Sequence, residues 1–220
     1  MQLAELTVRG FADLLGSDAP APGRGGPRPP ARRGARGAAL AGTLGAALTA
    51  MVGSLTVGRK KYAEFDGLAR ETLEKARDLE HRFLDVMERD TEAFNAVSAV
   101  FAMPKGTDQE KEARAAAMQE ALQGCTKTPF EMMELSLEAL RLTDGLVDRS
   151  NASAASDLGC AALHLGSAVQ GAWLNVLINL GGIRDVAFAA QYRTRGQILL
   201  DEALPLAQSI YDRVLKAVQG

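Results

Sequence analysis

The segment ARDLEHRFLDVMERDTEAFNAV, residues 76–97, decides the fold class of this chain. Its large apolar residues recur at steps of three and four, the spacing that places side chains on one face of an α-helix. They are Ala76, Leu79, Phe83, Val86, Met87, Phe94 and Val97. Because charged residues fill most positions between them, the segment predicts a long amphipathic helix with one face against a core.

Two capping signals predict further helices beyond this segment. Thr107 and Glu110 have the spacing of a capping box, which predicts a charged helix over residues 107–123. Thr128-Pro129 predicts a separate start, with proline in the first helical turn, for a helix over residues 128–147. These signals place two short helices after the long one.

The remaining segments also carry helical rather than strand patterns. Apolar spacing predicts helices over residues 6–15 and roughly 195–218, and Asn151 or Ser153 can cap another that Gly181-Gly182 ends. No segment alternates as a half-buried strand does. We therefore predict an all-α, long-helix bundle, formed by a single domain over residues 1–220.

One stretch cannot contain a regular element. Residues 20–37 hold five of the eight prolines and five arginines. The run Pro27-Arg28-Pro29-Pro30 lacks three N–H groups and has fixed φ angles, so neither helix nor strand continues through it. We predict an Arg/Pro-rich loop at about residues 23–37.

Residues 38–57 carry no charge over twenty positions, a length that can cross a bilayer. The run consists mostly of alanine, glycine, threonine and serine, and basic residues flank both of its ends. A buried helix in which Gly42, Gly45 and Gly53 allow close approach of its neighbours is the favoured interpretation. We expect no membrane partner.

The composition excludes several classes of function. A formal net charge of −2 gives no electrostatic reason to bind nucleic acid. Cys125 and Cys160 lack metal-ligand spacing, and with two histidines the chain offers too little for a zinc site, so no metal is expected. Arg9, Asp13 and Asp18 interrupt the first twenty residues, which argues against a signal peptide and for a cytoplasmic location.

Asp90 is the residue most informative about function. It lies four residues after Val86 and four before Phe94, inside the apolar stripe of the predicted helix. A carboxylate there must be hydrogen-bonded, paired with a cation or protonated, because burial of an isolated charge is costly. It is either a structural salt bridge or helix contact, or a general acid/base in a pocket.

A second polar stripe contains Asp157, Asn175 and Asn179. Asp157 either acts chemically or is a first-turn acid stabilised by the helix dipole. The two asparagines, one turn apart, can hold the edge of a heterocycle or bridge neighbouring helices. Eighteen residues, about 27 Å of helix, separate Asp157 from Asn175, so both act only along a long cleft or across two subunits.

The basic cluster Arg59-Lys60-Lys61 follows the uncharged segment directly. Cations at a helix C-terminus complement the helix dipole, which is one explanation. The other is a patch that binds the carboxylates of an anionic substrate.

The chain resembles the formiminotetrahydrofolate cyclodeaminase and methenyltetrahydrofolate cyclohydrolase family. The resemblance rests on ordered segments spanning residues 38–190: LTVGRKKY at 55–62, DTEAF at 90–94, MPKGT at 103–107 with Glu110-Lys111, Asn151 with Ser156-Asp157-Leu158, and NVLIN at 175–179. Several motifs in one order are far more specific than any one of them.

This resemblance implies an all-helical homodimer whose folate cleft lies near the subunit interface. It implies chemistry on the carbon that bridges N5 and N10 of tetrahydrofolate, which can carry further glutamates, with no cofactor beyond this substrate. Asp90 and Asp157 are then the catalytic candidates. The candidates for substrate binding are Gly23, Arg59, Lys60, Asn151, Ser156, Asn175 and Asn179.

The chain departs from the family where a Pro-Gly-Gly-Gly-Ser loop is expected. Here Pro22-Gly23 leads into the longer Arg/Pro-rich stretch, which lacks the serine. Inserted arginine and proline disturb a glycine loop whose N–H groups bind an anion or carbonyl. A genuine insertion or a local shift of reading frame would give this composition, and mass spectrometry of the protein distinguishes the two.

The residues and the resemblance are consistent with three functions. The first is formimidoyltetrahydrofolate cyclodeaminase, which forms 5,10-methenyltetrahydrofolate from the 5-formimino compound and releases ammonia. The second is methenyltetrahydrofolate cyclohydrolase, which converts the methenyl compound to 10-formyltetrahydrofolate. The third, of another class, is a catalytically impaired folate binder or a helical interaction protein.

Overall fold

A computed structural model describes residues 6–16 and 34–220 of the chain. Within these residues the structure is helical and contains no strand, which confirms the all-α prediction. The helices are α1 (Val8–Gly16), α2 (Gly34–Thr56), α3 (Asp66–Phe101), α4 (Asp108–Leu146), α5 (Ala155–Leu180) and α6 (Val186–Gln219). Two short 3-10 turns, Lys60–Phe65 and Ala152–Ala154, precede α3 and α5.

The predicted amphipathic helix is α3, which is longer than the 76–97 segment. Six of the seven residues assigned to its apolar face are buried, and Phe94 is half-buried. Asp90 is buried with them, on the face that packs against the core. The three-and-four spacing therefore identified the helix and its orientation.

Helix α2 lies at the centre and contacts α3, α4 and α5. Its glycines allow this, because a Cβ at Gly42 would overlap the ring of Phe83 and one at Gly45 would lie 2.6 Å from Cγ of Leu165. In addition, the hydroxyls of Thr49 and Thr143 hydrogen-bond at 2.7 Å between α2 and α4. Small residues thus bring the three neighbouring helices unusually close to α2.

Helix α2 begins at Gly34, so the prediction of a loop up to residue 37 is wrong for its last four residues. The prolines that forbid a helix end at Pro30, and nothing in the covalent geometry of residues 34–37 opposes helical angles. The part of the predicted loop at residues 23–33, including Gly23, lies outside the described residues.

Helix α4 is one continuous helix, and the prediction of two helices separated near residue 124 is wrong. The capping box of Thr107 and Glu110 is present as predicted. Pro129 does not start a new helix; it lies inside α4. A proline removes one backbone hydrogen bond from the turn before it, and α4 tolerates this loss because another helix supplies a donor, as described below.

Helix α6 starts at Val186, nine residues before the predicted start. The side chain of Asp185 accepts a hydrogen bond from the N–H of Phe188 at 3.0 Å and caps the helix. Pro205 also lies within α6. Two other expectations are confirmed, since Asn151 caps the 3-10 turn that leads into α5 and Gly181 ends α5.

Two helices of the described chain are long and apolar enough to span a bilayer by composition alone. They are the α2 segment Gly34–Thr56 and the segment Ala152–Leu180, with mean hydropathies of 1.6 and 1.3 over their most apolar windows. About half of each window is buried inside the protein, 56% and 44%. Core helices of soluble bundles have the same properties.

Candidate active site

Asp90 lies in a polar site within the apolar core. Its side chain is 8% exposed, and the hydroxyl of Thr128 on α4 donates a hydrogen bond to its Oδ1 at 2.9 Å. Burial raises the pKa of Asp90 above its ordinary value, because the charged form loses its hydration. The Thr128 hydrogen bond and the charge of Arg36 stabilise the ionised form and offset part of this increase.

Arg36 belongs to this site, although its proline-rich neighbours predict a loop at that position. It occupies the first turn of α2 and is 5% exposed. A signal was present: Arg36 precedes the buried residues Ala39, Thr43 and Ala46 by steps of three and four. The spacing of the buried face of α2 therefore includes a cation that acts on Asp90.

The turn of α4 that contains Thr128 depends on Asn179. Pro129 has no N–H to donate to the carbonyl of Cys125 four residues earlier. The side-chain Nδ2 of Asn179, on α5, donates to that carbonyl at 2.6 Å. Asn179 was predicted to bind substrate, but in the structure its amide satisfies α4 next to the residue that contacts Asp90.

Asn175 lies one turn away, beside the start of α2. Its Nδ2 donates to the carbonyl of Gly171 at 2.8 Å, within α5. A Cβ at Gly34 would lie 3.0 Å from this Nδ2, so Asn175 packs directly against the first residue of α2. Asn175 and Asn179 thus join Arg36, Thr128 and Asp90 at one end of the bundle, which we call the acid end.

The other predicted residues gather where α2 finishes, at what we call the basic end. Arg59 and Lys60 are exposed just after α2. Asn151 fixes the start of the α5 region to α2, because its Nδ2 donates to the Leu55 carbonyl at 3.2 Å and its N–H to Thr56 Oγ1 at 2.9 Å. Ser156 and Asp157 lie in the first turn of α5, exposed and half-buried respectively.

The two ends are too far apart to form one small pocket within a single chain. Helices α2 and α5 run antiparallel, since Gly34 meets Asn175 while Thr56 meets Asn151. The eighteen-residue separation of Asp157 and Asn175 along α5 corresponds to about 27 Å. The structure therefore does not bring Asp90 and Asp157 together around one reacting carbon in the same subunit.

The residues at the acid end can bind, orient and exchange a proton. A buried carboxyl with a raised pKa keeps its proton to higher pH than an exposed one, while the hydroxyl of Thr128 and the charge of Arg36 favour its ionised form. In the described part of the chain no three His, Cys, Asp or Glu side chains are grouped as a metal site requires. The arrangement has the groups that proton transfer requires.

Comparison with known proteins identifies the class. Residues 7–197 match the family model described as formiminotransferase-cyclodeaminase. The methenyltetrahydrofolate cyclohydrolase of Methylorubrum extorquens is 38% identical over 212 residues, covering 96% of this chain and 97% of that protein. The formimidoyltransferase-cyclodeaminase of Sus scrofa is 34% identical over 163 residues, 74% of this chain but 30% of the pig protein.

A solved structure agrees over nearly the whole chain. The crystal structure of formiminotetrahydrofolate cyclodeaminase from Thermotoga maritima superimposes with a TM-score of 0.76 at 25% sequence identity, covering 99% of this chain and 98% of that one. The fold and the site thus define an all-helical enzyme of folate metabolism. The chain belongs to the formiminotransferase-cyclodeaminase family, as the ordered motifs implied.

Proposed function

We propose that the protein is a formimidoyltetrahydrofolate cyclodeaminase. In this reaction N10 of tetrahydrofolate attacks the formimino carbon on N5 and loses its proton. The terminal nitrogen gains protons and leaves as ammonia, and the carbon remains as the cationic methenyl bridge between N5 and N10. The reaction needs an acid for the leaving nitrogen and an environment that stabilises a cationic carbon.

The observation that carries this proposal is the carboxyl of Asp90, buried in the core and held by the Thr128 hydroxyl at 2.9 Å. An acid whose pKa is raised by burial keeps its proton to higher pH, which suits it to protonate a departing amine. Once it has given up the proton, the same carboxylate is negatively charged and stabilises positive charge on a bridge carbon bound beside it. Thr128 holds the carboxyl through its 2.9 Å hydrogen bond during both steps.

Methenyltetrahydrofolate cyclohydrolase is the second candidate. It is favoured by the relative from Methylorubrum extorquens, which bears that name and matches this chain almost from end to end. In this reaction water adds to the methenyl carbon, the N5–C bond breaks, 10-formyltetrahydrofolate forms and one proton is released. Here Asp90 in its ionised form would take the proton from the attacking water.

The residues at the basic end are proposed to bind the substrate. Arg59 and Lys60 are exposed cations that suit the carboxylates of the folate glutamate, including any further glutamates. Asn151 and Asp157 at the same end orient the bound molecule. We propose no cofactor beyond tetrahydrofolate, no metal, no nucleic acid or membrane partner, and a cytoplasmic location.

A homodimer would bring the two ends together. Helices α2 and α5 share an apolar outer stripe, in which Leu163, Leu174 and Ile178 of α5 are more than half exposed. Leu44, Met51 and Leu55 continue it on α2. A two-fold axis through this stripe, perpendicular to the helices, would place the acid end of one subunit against the basic end of its partner, completing a cleft.

A two-substrate assay tests the function. The methenyl compound absorbs light where the formimino and 10-formyl compounds do not, so its formation or loss is followed directly. A cyclodeaminase produces it from 5-formiminotetrahydrofolate; a cyclohydrolase consumes it. Asp90→Asn should lower turnover by about 10²–10⁴-fold, while Asp85→Asn, an exposed acid on the same helix, should leave it unchanged. Turnover of neither compound by protein of verified mass contradicts the proposal.

Complementation tests the shared cleft. Asp90→Asn and Lys60→Ala should each be impaired alone. Mixed by unfolding and refolding together, they should regain about a quarter of wild-type activity, because half of the dimers are mixed and each mixed dimer has one intact cleft of two. Mixed dimers that form but stay inactive would show that both residues act within one subunit.

A further inference from the structure

A half-open cavity at the basic end is not explained by any of the residues assigned above. It has a volume of about 250 Å³ and lies between the 3-10 turn after α2, the loop after α4, the first turn of α5 and the last turns of α6. Val147, Leu158 and Val214, all at most 5% exposed, form an apolar wall. Arg59, Lys60, Asn151 and Asp157 do not line it.

The hydroxyl of Ser150 in the wall of this cavity is open to a ligand. The residue as a whole is 8% exposed, and its hydroxyl makes no hydrogen bond among the described residues. The oxygen is not one of the fully buried side-chain atoms of the described residues that lack a partner, so it remains reachable from the cavity. A molecule bound in the cavity can therefore accept a hydrogen bond from Ser150.

Two further donors, from Tyr62 and Lys61, line the same cavity. The phenol oxygen of Tyr62 accepts a hydrogen bond from the N–H of Ala152 at 3.0 Å, which leaves its own proton for a ligand. This bond, and then Lys61, hold the pKa of Tyr62 below its ordinary value. The Lys61 Nζ lies 5.4 Å from the centroid of the Tyr62 ring and forms no ion pair with a described carboxylate. The cavity thus offers three donors, one of them cationic.

Asp148 restricts the charge of the ligand. This exposed acid lies in the cavity wall and has a φ of 65°, the left-handed conformation that turns the chain toward Ser150. One cation with one nearby acid disfavours a dianion such as a phosphate monoester. The same balance accepts a singly charged carboxylate, whose two oxygens match several donors at once.

We propose that this cavity binds a monocarboxylate attached to a small apolar or aromatic body. The carboxylate accepts from Lys61, Tyr62 and Ser150, and the body packs on Val147, Leu158 and Val214. Two sources have this chemistry: a free small carboxylic acid, and one of the two glutamate carboxylates on the aminobenzoyl tail of the proposed folate substrate, with the other carboxylate outside the cavity. The site itself does not depend on which folate reaction the protein catalyses.

Calorimetric titration of the intact protein with benzoate and with benzamide tests the site, because the two probes differ in charge but hardly in shape. Benzoate should bind at least about tenfold more tightly. Lys61→Met and Ser150→Ala should weaken benzoate and leave benzamide unchanged. Ser150→Ala should not lower the melting temperature, since the hydroxyl has no hydrogen bond to lose.

A steric variant and a charge control complete the experiment. Ala217 is exposed on α6 and lines the cavity, so Ala217→Trp should fill it with little effect on folding and abolish benzoate binding. Lys105→Met removes an equal charge in a distant loop and should have no effect. Benzoate binding that is absent, that benzamide equals, or that survives Ala217→Trp overturns the proposal.

Competition identifies the source. If p-aminobenzoyl-glutamate displaces benzoate from the wild type, the cavity takes the tail of a folate. If it does not, the cavity serves a free monocarboxylate separate from the folate cleft. Both results support the site, and turnover of the folate substrates is measured independently, so a failure of the proposed function leaves this test intact.

Discussion

The side chain of Asn179 takes the place of a backbone N–H that Pro129 lacks. Its Nδ2 lies 2.6 Å from the carbonyl of Cys125, the group that a non-proline residue at position 129 would bond. Helix α5 therefore completes a turn of α4, and that turn carries the Thr128 hydroxyl to Asp90. The hydrogen bond from Asn179 thus stabilises the turn that contains Thr128, and Thr128 in turn contacts the candidate catalytic carboxyl of Asp90.

This relationship predicts a strong coupling between positions 179 and 129. Asn179→Leu should cost about 1–3 kcal/mol of the free energy of unfolding, because it leaves a buried carbonyl without this donor. Pro129→Ala in the same chain should recover at least about 1 kcal/mol, since the new N–H can bond the Cys125 carbonyl. Urea denaturation of the two single variants and the double variant measures this.

Asn179→Asp serves as a control that keeps the shape of the side chain but can no longer donate an N–H when ionised. If the changes in unfolding free energy of Asn179→Leu and Pro129→Ala simply add in the double variant, Asn179 does not substitute for the missing N–H.

Thr128 should control the pKa of Asp90. The hydroxyl of Thr128 stabilises the ionised carboxyl, so Thr128→Val should raise the Asp90 pKa further, while Thr128→Ser should not. The limb of the pH–activity profile that reports Asp90 should move to higher pH in Thr128→Val. Carboxyl ¹³C NMR of the folded protein gives the pKa directly, and an unmoved Asp90 titration would refute the assignment.

The same shift predicts how stability depends on pH. The folded pKa of Asp90 lies above its ordinary value of 3.8. The carboxyl therefore stabilises the fold fully below that pH, and this contribution is lost as pH rises through the folded pKa. Thr128→Val raises the folded pKa further. As pH rises above 3.8 toward neutrality, the unfolding free energy of Thr128→Val should therefore decrease more than that of Thr128→Ser. Chemical denaturation of both variants at acid and neutral pH measures this, and a difference in unfolding free energy that does not change with pH would contradict the prediction.

Two glycines of α2 should respond oppositely to alanine. A Cβ at Gly42 would overlap the ring of Phe83, whereas one at Gly37 meets nothing within 4 Å. Gly42→Ala should therefore destabilise by about 1–3 kcal/mol through overpacking, and Gly37→Ala should stabilise by up to about 1 kcal/mol through helix propensity. Thermal unfolding compares them. Adding Phe83→Leu to Gly42→Ala should recover part of the loss if the ring is the cause.

The apolar stripe on α2 and α5 predicts the oligomeric state. Leu174 on α5 and Ile198 on α6 are both 61% exposed. If the stripe forms the dimer, Leu174→Arg should give monomers and reduce turnover, while Ile198→Arg should change neither. Light scattering at several concentrations decides this, and a Leu174→Arg variant that stays dimeric would place the interface elsewhere.

The sequence predicted most of the helices because their signals are local. The spacing in α3 identified its buried face, and Thr107 with Glu110 identified the start of α4. The prediction of a helix start at Pro129 is wrong because a proline in the first turn of a helix and one inside a helix have the same local sequence signal. The donor that permits the second arrangement, Asn179, lies on another helix. The early start of α6 was missed although Asp185, its cap, was visible.

Only the part of the candidate site that has a local signal could be predicted from the sequence. The position of Asp90 in an apolar stripe was sufficient to predict its burial, which the structure confirms. Arg36 was assigned to the loop that its proline-rich neighbours suggest, so its charge beside Asp90 could not be anticipated. The arrangement of the candidates into an acid end and a basic end depends on the antiparallel packing of α2 and α5, which no local pattern encodes.

The close packing of α2 restricts how proteins built this way can change over evolution. Two neighbours, α3 and α5, touch its surface at Gly42, Gly45 and Gly53, where one added methyl group meets atoms of the neighbouring helix, so these positions can accept only very small residues. Adaptation to a new one-carbon compound has to come from the segments that enter and leave the helix. Arg36 lies at the start of the helix, where a change of charge acts directly on Asp90. The cluster Arg59-Lys60-Lys61 follows the end of the helix on the surface, where changes of charge and length leave the interior untouched.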